Sequence, residues 1–276
     1  MKVIKTVAEL RKAYAQTPKP LGLVPTMGSL HAGHMALVER ARADCATVAA
    51  SIFVNPTQFG PGEDFSTYPR STEADLEKLE AGGVDLVFAP PAEEMYPEGF
   101  ATTVDVGVIG RRLEGERRPG HLNGVATVVA KLLAIVRPDR AYFGQKDAQQ
   151  CLVIRRTNAD LNLGAEIVVV PTVREPDGLA LSSRNAHLTP DERRAAPLVY
   201  QSLLLAKELC EEGVTDAMEV KRQMRTLLEK SQLVDLEYVS VAHAETLEEL
   251  DLLESPALVS LAARIGKARL IDNLTL

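Results

Sequence analysis

The sequence predicts an α/β protein in which a doubly wound, Rossmann-like parallel sheet is followed by a second, smaller α+β domain. In the first two-thirds of the chain, short apolar runs alternate with helix-forming stretches, a rhythm typical of parallel sheets covered by crossover helices. After about Val173 the pattern changes, because a long helix-forming stretch is followed by β-rich runs instead of alternating with them. We therefore predict a first domain over residues 1–174 and a C-terminal domain over residues 175–276.

The first domain contains five short runs rich in apolar and β-branched residues, which we predict to be strands: Leu21–Thr26, Thr47–Val54, Val84–Ala89, Ala141–Phe143 and Ile167–Val170. Helices are predicted between strands, from His31 to about Asp44, from Glu73 to a stop at Gly82-Gly83, and over Val125–Val136. The last helix has apolar residues almost all round, which indicates that it is buried.

In the second domain, Pro190–Lys230 consists almost entirely of helix-forming residues, and Gly213 is the predicted break between two helices. Strands are then predicted over Val234–Val241, Ala257–Leu261 and Ala268–Leu270. Helices followed by strands are typical of a small α+β domain.

Composition excludes several classes of protein. The 276 residues are 46% apolar and 25% charged, which is ordinary for a globular chain and excludes disorder as the main state. The net charge of −7 disfavours general nucleic-acid binding, although a local cationic pocket can still bind a small anion. Three widely spaced cysteines with no CxxC pair argue against a disulfide framework or a zinc site and favour the cytoplasm. No signal peptide or membrane span is expected.

The most specific motif is PTMGSLHAGH, from Pro25 to His34, where the first predicted strand turns into a helix. Free N–H groups and the helix dipole at such a position favour phosphate. His31 and His34 are three residues apart and face the same side, so both can donate to phosphate oxygens as charge builds on phosphorus. Two surface histidines beside a tight turn remain the alternative interpretation.

Two further segments each have a functional and a purely structural interpretation. The strand ending near Val54 leads into a Pro- and Gly-rich loop with Asn55 and Gln58, whose amides suit recognition of hydroxyls and carboxylates unless the loop only connects elements. The segment from Gly115 to Val125 places Arg117, Arg118 and His121 in a cationic turn, which is either an anion site or a solvated loop.

The last two motifs lie further along the chain. In AYFGQKDAQQ, Gly144 ends a strand and Lys146 starts a helix, well placed to neutralise a polyphosphate. Asp147 either takes part in the site or only caps its helix. In VREPDGLALSSRN, a Pro-Asp-Gly turn precedes Ser182–Arg184, whose hydroxyl and guanidinium donors suit a triphosphate or simply cap the next helix.

Taken together and in this order, the five motifs resemble the pantoate–β-alanine ligases, the pantothenate synthetase family of the HxGH nucleotidylyltransferase superfamily. The resemblance runs from about Val24 through Asn185. It implies a two-step reaction in which the carboxylate of (R)-pantoate attacks the α-phosphorus of ATP and releases pyrophosphate. The amine of β-alanine then attacks the pantoyl adenylate, giving pantothenate and AMP.

The family roles carry over to matching positions. The resemblance implies that catalysis rests on His34, His31, Lys146 and Arg184. It implies ATP contacts at Met27, Gly28, Ser29, Leu30, His31, Ala32, Gly33, His34, Gly144, Gln145, Lys146, Asp147, Val173, Leu181, Ser182, Ser183 and Arg184. It implies pantoate and β-alanine contacts at Gln58 and Gln150, with Asn55, Tyr68, Arg118 and His121 nearby. Ala148, Pro176 and Leu181 depart from the residues usual in the family, which alters the expected pocket shape rather than its polar groups.

The resemblance also implies Mg²⁺ on the triphosphate with no protein metal site, a homodimer, small-molecule partners only, and a C-terminal domain that covers the site. Two other functions remain open. One is a nucleotidylyltransferase that stops at an adenylated product, and the other is a nucleotide-binding module without catalysis. An aminoacyl-tRNA synthetase is disfavoured, because the chain has neither a KMSKS-like lysine loop nor a basic surface for RNA.

Overall fold

The computed structural model describes residues 1–63 and 65–276 and divides them into two compact units. Unit 1 comprises Met1–Gln145 and Gln149–Pro171, and unit 2 comprises Lys146–Ala148 and Thr172–Leu276. Each unit has a hydrophobic core of its own, so the two are described in turn.

Unit 1 is built on a parallel sheet of six strands within the described residues, in the spatial order β1-β4-β3-β2-β5-β6. Their bounds are β1 Lys2–Ile4, β2 Leu21–Thr26, β3 Thr47–Ile52, β4 Leu86–Phe88, β5 Arg140–Gly144 and β6 Glu166–Val170. The central strands β2 and β3 are almost wholly buried, as expected for strands with helices on both faces. All five pairings in the sheet are parallel.

The helices of unit 1 connect these strands as crossovers. They are α1 Val7–Tyr14, α2 Ala32–Asp44, α3 Thr72–Ala81, α4 Ala92–Met95, α5 Glu114–Arg117, α6 His121–Val136 and α7 Ala148–Asp160. One core cluster packs α1 and α6 against the sheet, and a second packs α2 and α3 against it. The predicted doubly wound fold is therefore confirmed.

The order of the strands determines where a ligand site is expected. Later strands of the chain are added on both sides of β2, with β3 next to it on one side and β5 next to it on the other. The loops after β2 and β5 therefore leave the same edge of the sheet in opposite directions. In open parallel sheets, ligands bind in the crevice at such a switch point. The segments beginning at Met27 and at Gln145 follow these two strands.

Unit 2 contains three helices and an antiparallel sheet of order β7-β8-β9 within the described chain. The helices are α8 Pro190–Ala195, α9 Leu198–Glu211 and α10 Ala217–Leu228, and the strands are β7 Val234–His243, β8 Ala257–Ile265 and β9 Ala268–Thr275. The core of unit 2 packs α9 and α10 against the sheet. The apolar stripe Val220, Met224 and Leu228 of α10 is fully buried, because residues four apart share one face of a helix. The predicted α+β architecture is confirmed.

Several details differ from the sequence prediction. The short elements β1 and α1 were not predicted. Strand β1 has only three residues, which carry no periodic signal. Helix α6 begins four residues earlier than predicted, at His121, and the helical region from residue 190 contains a second break at Pro197. Strand β9 is longer than predicted, because pairing with β8 extends it to Thr275.

Candidate active site

The turn between β2 and α2 is held by an acidic side chain from another helix. Gly28 and Ser29 adopt left-handed backbone angles, with φ of 87° and 52°, and for a non-glycine residue this costs about 1–2 kcal/mol. The carboxylate of Asp75, in the first turn of α3, accepts hydrogen bonds from the N–H groups of Ser29 at 2.7 Å and Leu30 at 2.8 Å. The Nζ of Lys78 donates to the carbonyl of Leu30 at 2.6 Å.

His31 and His34 cap the start of α2 with their own rings. The N–H of Gly33 donates to Nδ1 of His31 at 3.1 Å, and the N–H of His31 donates to Nδ1 of His34 at 3.3 Å. The two ring centroids are 4.2 Å apart, which confirms that both imidazoles face the same side of the turn. Because each Nδ1 accepts from a backbone N–H, the proton of each neutral ring is on Nε2, which makes that atom a hydrogen-bond donor.

These bonds correct one prediction. The sequence predicts free N–H groups that hold phosphate at this helix start, but those of Ser29, Leu30, His31 and Gly33 already have acceptors within the chain. The reason is tertiary: the sequence could not show that Asp75 lies against a turn more than forty positions away. A phosphate contact from these four residues would therefore have to use other atoms.

Asn55 and Gln58 lie together after β3, but they have different surroundings. Asn55 is 1% exposed, and its Nδ2 donates to Oε1 of Gln58 at 3.0 Å and to the carbonyl of Gly124 at 3.2 Å. Its Oδ1 accepts from the hydroxyl of Tyr96 at 2.6 Å and from Oγ1 of Thr57 at 2.9 Å. The amide of Asn55 is thus fully bonded inside the protein, and one of its bonds is to the side chain of Gln58.

The side chain of Gln58 is the more available amide. It is buried, and its Nε2 contacts Sδ of Met27 at 3.3 Å, which links this loop to the turn after β2. Tyr68 is also buried and its ring packs edge-on against Phe59, with centroids 5.9 Å apart. Gln58 therefore contacts Met27, and Tyr68 contacts Phe59, the residue that follows Gln58.

Arg118 and His121 do not form the cationic turn that the sequence predicted. Arg118 makes two bonds of 2.7 Å to the carboxylate of Glu63, which neutralises its charge and lowers the pKa of Glu63. Arg118 also donates to Nε2 of His121 at 3.0 Å, so the ring proton is on Nδ1, which donates to the carbonyl of Gln58 at 2.8 Å. Burial, together with the guanidinium charge, lowers the pKa of His121 and favours its neutral form.

Different residues of the segment after β5 belong to different units. Gly144 and Gln145 lie in unit 1, whereas Lys146 and Asp147 lie in unit 2, although Gln145, Lys146 and Asp147 form one 3-10 turn. The carbonyl of Lys146 accepts from Nδ2 of Asn273 in β9 at 2.9 Å.

The neighbouring glutamines in α7 differ in environment. Gln150, the predicted substrate contact, is partly exposed. Gln149 is buried and was not predicted: its Nε2 donates to the carbonyls of Ile109 and Arg112 at 2.8 Å, and its Oε1 accepts from the N–H of Glu114 at 3.0 Å. Gln149 thereby fixes the segment that leads to Arg118.

The segment from Val173 to Arg184 belongs to unit 2 and begins as a small hairpin around the predicted turn. The N–H of Leu181 donates to the carbonyl of Val173 at 3.0 Å, so these two predicted adenine and triphosphate contacts face each other. Arg174 anchors the hairpin through two hydrogen bonds of 2.5 and 2.9 Å to the buried carboxylate of Asp272. Ser182 caps a 3-10 turn over Ser183–His187, and its Oγ accepts from the N–H of Arg184 at 3.3 Å.

Across residues 1–63 and 65–276, no group of three or more His, Cys, Asp or Glu side chains is arranged to hold a metal ion. In the same residues, no helix combines the length and hydropathy needed to cross a membrane.

The parallel sheet and the HxGH turn that follows its central strand define an α/β protein built like the HxGH nucleotidylyltransferases. The family model for pantoate-beta-alanine ligase matches residues 2–275. The chain therefore belongs to the pantoate–β-alanine ligase family, as the motif order indicated.

Relatives and solved structures agree over the full length. A pantothenate synthetase from Chloroflexus aggregans is 57% identical over 274 residues, covering 99% of both chains, and one from Thermotoga neapolitana is 50% identical over 279 residues, covering 100% of both. The crystal structure of pantothenate synthetase from Thermus thermophilus is similar with a TM-score of 0.94 and 51% identity, over 99% of each chain. A pantoate-beta-alanine ligase from Francisella tularensis, solved in complex with beta-gamma ATP and beta-alanine, is similar with a TM-score of 0.82 and 33% identity, over 100% of this chain and 97% of that one.

Proposed function

We propose that this protein uses ATP to join (R)-pantoate to β-alanine through a pantoyl adenylate, with release of pyrophosphate and AMP. The observation that carries the proposal is the turn after β2, where the rings of His31 and His34 lie 4.2 Å apart and both accept backbone N–H groups at Nδ1. This is the motif of the family to which the whole chain belongs.

The chemistry needs positioning and charge neutralisation more than covalent catalysis. A carboxylate does not acylate an amine in neutral water, so it must first gain a better leaving group, which AMP supplies. Negative charge builds on the phosphate oxygens as the carboxylate attacks the α-phosphorus, and donors fixed beforehand lower that barrier. The Nε2–H groups of His31 and His34, the ammonium of Lys146 and the guanidinium of Arg184 are the proposed donors.

The substrate contacts are proposed on the resemblance, refined by the geometry. We propose that Gln58 and Gln150 bind pantoate, with Gln58 also contacting β-alanine, and that Tyr68 closes this region. Asn55 contributes by holding Gln58, since its own amide is fully bonded. Arg118 and His121 support the same loop, because His121 donates to the carbonyl of Gln58.

The nucleotide contacts are proposed on residues of both units of the chain. The proposed ATP-binding residues are Met27, Gly28, Ser29, Leu30, His31, Ala32, Gly33, His34, Gly144, Gln145, Lys146, Asp147, Val173, Leu181, Ser182, Ser183 and Arg184. Residues 1–174 are proposed as the ATP- and pantoate-binding domain, and residues 175–276 as a lid. The amides of Ser29 and Leu30 are bonded to Asp75, so these two residues would contact ATP through other atoms.

The remaining expectations belong to the same proposal. Mg²⁺ is proposed to bind mainly through phosphate oxygens and water. A homodimer, a cytoplasmic location and the absence of a nucleic-acid partner also remain predictions.

A pyrophosphate-release assay tests the function. With ATP and pantoate the protein should release pyrophosphate, and AMP should accumulate in step with pantothenate only when β-alanine is added. His34→Ala should lower adenylation by about 10²–10⁴-fold while the protein remains folded, because a positioned donor contributes on that scale. Adenylated product without dependence on an amine would favour a simple nucleotidylyltransferase, and ATP binding without pyrophosphate release would favour a binding module.

A further inference from the structure

We propose that Asp75 is a positioning residue whose buried carboxylate holds the turn after β2 so that His31 and His34 are presented in the geometry needed for adenylation. The inference rests on the proposed function for its catalytic consequence. Its structural part, the clamping of the turn by a carboxylate, stands on the contacts alone.

The first observation is that the carboxylate of Asp75 is buried. Asp75 is 1% exposed although it lies in the charged helix α3, whose neighbouring acidic residues Glu73 and Glu77 face solvent. An ionised carboxylate is rarely buried so completely unless hydrogen bonds compensate for the lost water. Here its two oxygens accept from the N–H groups of Ser29 at 2.7 Å and Leu30 at 2.8 Å. Bonds of this length from backbone N–H groups to a charged acceptor are stronger than neutral ones.

The second step is the conformation that these bonds stabilise. Ser29 has a φ of 52°, a left-handed conformation that a serine adopts only when its surroundings hold it there. A Cβ added to the preceding Gly28 would lie 3.1 Å from Oδ2 of Asp75, so the carboxylate also packs closely on the turn. Lys78, one helical turn after Asp75, binds the carbonyl of Leu30 at 2.6 Å, which gives α3 a second attachment to the same turn.

The third step connects the turn to the histidines. Leu30 is followed directly by His31, the N-cap residue of α2, whose N–H group donates to Nδ1 of His34. A shift of the turn therefore moves the starting point of both rings at once. Misplacement of a catalytic group by about 1 Å can cost about 10²-fold in rate, so a residue that touches neither substrate can still control the reaction through this turn.

The decisive variant is Asp75→Asn, which keeps the size of the side chain but replaces one acceptor oxygen by an NH₂ group facing a backbone N–H. Glu77→Gln is the matched control, because it makes the same charge change at an exposed position of the same helix. In the pyrophosphate-release assay with ATP and pantoate, kcat of Asp75→Asn should fall by about 10–100-fold, and the KM for pantoate should change by less than about threefold. Glu77→Gln should match the wild type.

A double-mutant cycle separates positioning from loss of stability. If Asp75 acts through the histidine turn, Asp75→Asn should have a smaller effect on kcat in the His34→Ala background than in the wild type, because only His31 is then left for the turn to position. Effects that multiply fully, or an Asp75→Asn enzyme with normal kcat per folded molecule, would overturn the inference. A wild type that releases no pyrophosphate would instead refute the proposed function.

A measurement on the wild type keeps the inference testable even if Asp75→Asn fails to fold. Amide hydrogen exchange, followed by NMR of the ¹⁵N-labelled protein, should show the N–H groups of Ser29 and Leu30 to be protected by at least about 100-fold relative to an open loop. Exchange of both groups at open-loop rates would overturn the clamp. This result does not depend on any activity.

Discussion

Replacing Asn55 by Ala should damage both stability and pantoate binding, because one buried amide connects three parts of unit 1. Its Nδ2 donates to Oε1 of Gln58 at 3.0 Å and to the carbonyl of Gly124 at 3.2 Å, while its Oδ1 accepts from the hydroxyl of Tyr96 at 2.6 Å. The alanine variant removes these three bonds and the bond of 2.9 Å from Oγ1 of Thr57, and it leaves their partners in a region where Asn55 itself is 1% exposed.

The size of the effect follows from what each partner can still do. The hydroxyl of Tyr96 retains Oγ1 of Thr57 at 3.3 Å, so its loss is small. Gln58 and Gly124 lose a donor each, at about 1–2 kcal/mol apiece for a buried acceptor, so unfolding should become easier by about 3 kcal/mol. At about 2–4 °C for each kcal/mol, the melting temperature should fall by about 6–12 °C. Loss of the fixed Gln58 orientation should raise the pantoate KM by about tenfold, which corresponds to about 1.4 kcal/mol.

The assay pairs thermal denaturation with initial rates of pyrophosphate release at varied pantoate. Asn55→Asp is the informative companion, because it keeps the acceptor for Tyr96 but places an oxygen against the oxygens of Gln58 and Gly124. Its pantoate KM should rise at least as much as that of Asn55→Ala. Gln201→Ala, at an exposed amide of α9, is the control and should leave both measurements unchanged. An Asn55→Ala protein that melts with the wild type and keeps its pantoate KM would refute the reasoning.

Three further changes follow from the same geometry. Burial and the charge of Arg118 lower the pKa of His121, so the imidazole binds a proton at higher pH in the unfolded chain than in the folded one. The free energy of unfolding should therefore fall as the pH drops below about 6.5. The variant His121→Gln should show a weaker dependence on pH in urea titrations. Gly124→Ala would place a Cβ 2.3 Å from the carbonyl oxygen of Thr57, so it should shift the backbone beside Gln58, cost about 1–3 kcal/mol by denaturation and raise the pantoate KM. Asn273→Ala removes the donor to the carbonyl of Lys146 and should raise the ATP KM by about fivefold, the equivalent of one hydrogen bond of about 1 kcal/mol.

Each of these changes has a control or a contradicting result. Curves of stability against pH that run parallel for His121→Gln and the wild type would contradict the assignment to His121. Gly60→Ala places its Cβ no nearer than 3.9 Å to any neighbour and should be tolerated. An Asn273→Ala enzyme with an unchanged ATP KM would show that the contact from β9 does not orient Lys146.

Local patterns in the sequence were enough to predict the main architecture. The strands β2, β3, β5 and β6 are short apolar runs, and their alternation with helices permits few arrangements other than a doubly wound sheet. The turn after β2 was equally visible, since a glycine turn followed by HxGH lies at the carboxyl end of a central strand. Short or edge elements such as β1 were missed, because three residues of strand have no periodicity to detect.

The partners of the site residues could not be predicted in the same way. Asp75 is one acidic residue among several in α3, and only the packing of that helix shows that its carboxylate bonds to Ser29 and Leu30. Arg118 looked like a free cation until the fold placed Glu63 beside it. From the sequence, the amide of Asn55 suited ligand recognition, but in the structure it is hydrogen-bonded to four neighbouring residues.

The sequence by itself therefore determined the fold class, the family and the kinds of side chain at the site, because these depend on local periodicity and on an ordered set of motifs. The tertiary structure alone decided which of those side chains are already committed to internal bonds. Hydrogen bonds and ion pairs between residues about 45 to 70 positions apart make that decision, and no local pattern records them. In this acidic chain, packing thus bonds Asn55 to Gln58, Arg118 to Glu63, and Asp75 to the turn that precedes His31.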